Sequence, residues 1–86
     1  MNKPDYTKLP EHIRRGMKLY VENGIPPGGF LAAVLENNLT EAYKRADIIN
    51  IKEMGSIVDF IYNELPLDCW GSPNKVTQWI KIHNSF

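Results

Sequence analysis

Few side chains in this sequence are of types that do chemistry, and their spacing gives the first test of function. Cys69 is the only cysteine, within LDCWGSP. The preceding Asp68 disfavours a thiolate, whereas a reactive cysteine wants cationic neighbours. It reads as a small buried hydrophobe. A lone cysteine excludes an intramolecular disulfide and a cysteine-based metal site within one chain, and it fits a reducing compartment. The two histidines, His12 and His83, lie near opposite ends of the chain, and neither has a second ligand three or four residues on. A metal site needs such convergence, so no metal ligand is assigned. Glu36/Glu41 and Asp59/Glu64 read as solvated helix faces. A short chain is also a poor host for a deep pocket. No catalytic residue and no cofactor are therefore assigned, and the chain is expected to be non-enzymatic.

The stretch GIPPGGFLAAVLENNL, residues 24–39, has the composition of an anion-binding loop. A helix N-terminus with free N–H groups does bind anions. A nucleotide loop, however, needs GxxxxGK[ST], or GxGxxG after a strand, and neither occurs here. The prolines and glycines instead read as a stiff corner between two helices that lets Phe30 enter the core.

Arg14, Arg15 and Lys18 share part of one helix face, and Lys44 and Arg45 could join them in space. Such a patch can contact phosphate, which makes a small nucleic-acid-binding regulator the alternative reading. Glu11, Glu22 and Glu41 interrupt it, and a solvated, salt-bridged face is the simpler account. Lysine plus arginine equals aspartate plus glutamate, ten against ten. A dedicated nucleic-acid binder usually carries a basic excess. Large rings are plentiful: Tyr6, Tyr20, Tyr43, Tyr62, Trp70 and Trp79. Some must fill a small core, but tyrosine and tryptophan also anchor interfaces. The residues singled out for partner binding are Arg14, Arg15 and Lys18 on the first helix and Cys69-Trp70 in the turn before the last.

The elements that position these residues follow from periodicity. Eighty-six residues make one domain with a single modest core. Residues 1–8 read as a flexible polar arm, and 9–86 as the helical domain. A helix is predicted over 10–23, with proline in its first turn, Ile13, Met17, Tyr20 and Val21 as its stripe, and Asn23-Gly24 as its stop. A second starts near Gly28 or Gly29 and runs to about Glu36, with Asn37 or Asn38 as a left-handed cap. Thr40 is expected to cap a third over 41–46, with Leu39, Ala42, Tyr43 and Ala46 inward. Asp47–Asn50 reads as a connection, and Asn50 as the cap of a fourth helix over 51–64. Its stripe is Ile51, Met54, Val58, Ile61 and Leu65, widened by Ile57 and Phe60. Pro66 stops it. Ser72-Pro73 starts a fifth over 73–83, with Val76, Trp79, Ile80 and His83 on one face. IINIK is the only candidate strand. Gly16 and Gly55, inside helices, are expected to lie against a neighbouring helix or ring. The fold class is all-α, a compact bundle of about five short helices. No apolar run approaches the roughly 18–20 residues of a membrane span, and the N-terminus lacks a secretory pattern. Cytoplasmic location and no membrane partner are expected, with the chain a monomer or weak homodimer.

Residues 20–47 and 57–80 resemble a family of small proteins encoded by tailed bacteriophages and prophages. The shared pattern is Glu22-x-Gly24-Ile25-x-Pro27-Gly28-x-Phe30-Leu31, Ala33-Val34-Leu35-x-Asn37 and Arg45-Ala46-Asp47, then Tyr62-Asn63-Glu64-x-Pro66 and Cys69-Trp70-Gly71-Ser72-Pro73. Departures are Gly29, where serine is frequent, and Leu67, where a small residue is common. The family brings no activity or ligand residue to carry over. The resemblance implies a phage accessory gene acting in the host bacterial cytoplasm. By analogy of class, it implies binding to, and inhibition or redirection of, a host protein such as a defence or replication component.

Overall fold

The computed structural model describes residues 4–84. After Pro10 the chain enters helix α1, Glu11–Asn23, which buries Ile13, Met17, Tyr20 and Val21 as the spacing requires. It ends at Gly24, in the left-handed region at φ 66°, whose N–H donates to Tyr20 O. Glycine takes this conformation at little cost. Here it also fits sterically, because a Cβ built on Gly24 would overlap Cβ of His83. The Pro26-Pro27 corner then delivers helix α2, Gly29–Leu35, whose Leu31, Ala33, Val34 and Leu35 are buried. Asn37 adopts φ 62° just beyond it, as one of the two expected asparagines.

Helix α3, Leu39–Arg45, packs chiefly on α2. Its cap is Asn38, whose side chain accepts from Glu41 N–H, rather than Thr40. The helix therefore starts two residues earlier than expected. Only Ala42 is fully buried, and Leu39 and Tyr43 are about half exposed. A seven-residue helix leaning on one neighbour buries a narrow stripe, and small Ala42 takes it.

The expected fourth helix is two. Helix α4, Ile48–Lys52, is capped by Asp47, whose carboxylate accepts from Asn50 N–H at 2.7 Å. Helix α5, Met54–Glu64, follows a break at Glu53. The IINIK segment is thus helical. Asn50 is no cap: it is buried, with its amide oxygen 2.6 Å from His12 Nε2. With Asn50 inward, Ile51 of α4 lies exposed, and Val58 lies off the buried face of α5, so neither joins the expected core stripe. Met54, Ile57, Phe60 and Ile61 carry the α5 core face. Gly16 lies 3.8 Å from Leu31 measured from a built Cβ, whereas, its own helix apart, none of the described residues comes within 4 Å of such a Cβ at Gly55. The expected close neighbour is present at the first glycine and absent at the second.

Leu65 is extended before Pro66, as a pre-proline residue must be. A 3-10 turn over Leu67–Cys69 leads to helix α6, Pro73–His83, capped by Ser72 with proline in its first turn. On the expected face of α6, Val76 is buried and Trp79, Ile80 and His83 are half-buried. The described part of the N-terminal arm folds back as a 3-10 turn, Tyr6–Lys8. Tyr6 packs on Phe60, with ring centroids 5.6 Å apart, and Lys8 pairs with Glu64 at 2.9 Å. The core lies where α1, α2, α5 and α6 meet, around Met17, Tyr20, Leu35 and Ile57. No strand occurs among the described residues, and the fold is an all-α bundle.

Candidate protein-binding groove

Three segments distant in sequence converge on one apolar groove. The left-handed Asn37 ends α2 and the Asn38 cap starts α3 at once, so Leu39 points away from the core beside Val34. Helix α5 presents Val58 and Tyr62 one turn apart, with Ile61 beneath. The turn after Pro66 brings Trp70. Gly71 N–H donates to Leu35 O at 2.8 Å, which pins this turn against the end of α2. From below, the buried Tyr20 hydroxyl donates to Cys69 O at 2.6 Å. The result is a groove of about 280 Å³ lined by Val34, Asn37, Leu39, Val58, Ile61, Tyr62 and Trp70.

Its chemistry is simple. None of the lining residues is Asp, Glu, Lys, Arg or His, and the polar groups on its wall are the Asn37 amide, the Tyr62 hydroxyl and the Trp70 indole. Tyr62 and Trp70 meet edge to face, with centroids 6.2 Å apart and planes at 64°, an arrangement that aromatic quadrupoles favour. Trp70 Nε1 is buried without an acceptor among the described residues. Small-molecule sites usually run to about 300–1,000 Å³. At about 280 Å³ this groove falls just below that range, the size for one or two large side chains.

Of the residues singled out from sequence, only Trp70 lines the groove. Cys69 is 0 % exposed and its thiol donates to Pro66 O. Burial pushes its pKa up to about 12. It therefore has neither surface for a partner nor thiolate for chemistry, as a small buried hydrophobe should. Arg14 is committed internally, donating from Nε to Leu9 O at 2.9 Å and from Nη2 to Thr7 O at 3.2 Å. Arg15 and Lys18 are exposed on α1. Arg45 pairs with Glu41 at 2.7 Å. Val58 and Leu39 escaped sequence reasoning because their periodicity is that of core residues. Tyr62 was visible only as one large ring among six.

Among the described residues, no group of three His, Cys, Asp or Glu side chains could hold a metal ion. None of their helices is long and apolar enough to cross a membrane. The chain matches no protein-family model, no curated protein and no solved structure.

Proposed function

We propose that this chain is a non-enzymatic phage accessory protein that binds a host protein in the bacterial cytoplasm and inhibits or redirects it. The groove takes an apolar side chain of that partner. The observation that carries this reading is an open, uncharged groove of side-chain size walled by Tyr62 and Trp70. Interface energy concentrates where a large side chain enters a desolvated pocket, and tyrosine and tryptophan are prominent among such anchors. The sequence resemblance adds the phage origin and favours a defence or replication component as target.

The test compares baits in affinity capture from infected bacteria. The wild-type chain is expected to recover one host protein stoichiometrically. Leu39→Asp and Tyr62→Ala change half-exposed or exposed side chains, so the fold should survive, and each should weaken capture by roughly 30-fold or more, the scale of a hot-spot loss. Arg15→Ala and Lys18→Ala should capture as wild type does. Capture that survives both groove variants but fails with the α1 variants would move the site to α1. Capture of no host protein by the wild-type chain would overturn the reading.

A further inference from the structure

The wall of the groove carries an unsatisfied donor. Trp70 lines the groove, and its buried Nε1–H finds no acceptor among the described residues. The other tryptophan differs: Trp79 Nε1 donates to Tyr20 O at 3.1 Å and to Val21 O at 3.2 Å. A buried N–H costs stability for as long as nothing accepts from it. The other polar side chains on the wall are Asn37 and Tyr62, and each can donate as well. The ring that meets Trp70 edge to face belongs to Tyr62, which is 72 % exposed. It can turn aside without disturbing the core.

We propose that the occupant of the groove is a proline-rich segment of the host partner in the polyproline II conformation. This rests on the groove reading above and names the chemistry of its ligand. The known ways of reading a peptide segment make different demands. Adding a strand needs a free sheet edge, and no strand occurs among the described residues. An acidic or phosphorylated motif needs an arginine cluster, and no arginine or lysine lines the groove. An amphipathic helix suits an apolar groove, but its carbonyls are bonded within it except in the last turn, so it leaves the Trp70 N–H unpaired. A polyproline II segment has no internal hydrogen bonds. Its carbonyls are free to accept, and its prolines bring no N–H that would need an acceptor on the wall. Aromatic-lined grooves are where such segments dock, and Tyr62 and Trp70 supply the lining here, with Leu39 and Val58 beside them. The seated segment displaces the Tyr62 edge, and one of its carbonyls accepts from Trp70 Nε1.

The experiment is a titration of the isotope-labelled full chain with decaproline, followed by nuclear magnetic resonance on its two indole N–H signals. An alanine-rich helical peptide with leucines along one face is the comparison ligand. Trp70→Phe identifies the Trp70 signal by its loss. Decaproline is expected to move that signal downfield, as a new hydrogen bond does, and to leave the Trp79 signal in place, since its N–H is already bonded. It should bind more tightly than the helical peptide. Tyr62→Ala should weaken decaproline binding by roughly tenfold or more. Trp70→Phe, which keeps a ring and removes the donor, should weaken it by roughly three- to tenfold. A thermal melt checks that each variant folds, and Leu39→Asp, at a half-exposed position, serves where Trp70→Phe does not. An unmoved Trp70 signal at millimolar decaproline, equal movement of both indoles, or tighter binding of the helical peptide overturns the proposal. If host capture still depends on Leu39 and Tyr62 in that event, the groove reading stands and only the proline-rich ligand falls.

Discussion

At the scale of single residues, two glycines have opposite roles. Gly24 stands in the left-handed region, and its bare α-carbon lies against His83 of α6. Asn84 adds a donor to Gly24 O at 3.2 Å. Gly24→Ala must pay the left-handed cost and displace His83 from the corner. It is expected to destabilise by about 2 kcal/mol or more, of which roughly 1–2 is backbone conformation. Gly55 lies in ordinary helix and faces open space, so Gly55→Ala should stabilise by about 0.5–1 kcal/mol. Urea midpoints of the two variants, measured beside wild type, should move in opposite directions. The sequence told these glycines apart only partly. A helix stop at Gly24 is local information, but the contact with His83 is made across the whole chain.

At the scale of elements, the N-terminal turn is held to α5 by Glu64. The Glu64 carboxylate accepts the Asp5 N–H at 3.0 Å and pairs with Lys8 at 2.9 Å. The Asp5 backbone bond first, then Lys8, holds the Glu64 carboxyl below its ordinary value of 4.5. The same pairing holds Lys8 above 10.5. A depressed carboxyl stabilises the fold above its unfolded pKa and ceases to do so as pH falls through the folded one. The Lys8 contribution is present throughout the acid and neutral range, provided Glu64 is ionised, and is lost only in strong alkali. Lys8 is exposed and Glu64 lies half-buried at the surface, so water screens the pair and the effect is small. The expected outcome is that Glu64→Gln lowers the neutral-pH melting temperature slightly and flattens its fall below pH 4.5. A steeper fall than wild type would contradict the assignment. The stretch around α4 shows why an element can be illegible locally. Ile51, Met54 and Val58 keep a helical period, yet Asn50 is drawn inward by His12, 38 positions away. The helix is interrupted at Glu53, and the isoleucines of α4 lie outside.

At the scale of the whole molecule, α1 is joined to the turn after Pro66 and to the last helix. Tyr20 is 0 % exposed and its hydroxyl donates to Cys69 O, while its own carbonyl accepts from Trp79 Nε1 at 3.1 Å. One residue thus ties α1 to the turn that carries Trp70 and to α6. The stripes of α1 and α6 were legible because each repeats within its own helix, and so was the proline-glycine corner. The groove was not, because Val34, Leu39, Val58, Tyr62 and Trp70 become neighbours only when the Gly71–Leu35 bond and the Tyr20 hydroxyl fix the turn. Such connectivity predicts one cooperative transition. Unfolding followed by tryptophan fluorescence, which reports Trp70 and Trp79, should coincide with unfolding followed by helical circular dichroism. Tyr20→Phe removes only the hydroxyl and leaves Cys69 O buried without its donor, a change that costs about 1–3 kcal/mol. Both probes should shift together by that amount. If fluorescence shifts and the helical signal does not, the turn and α6 unfold apart from α1 and the bundle is not one unit.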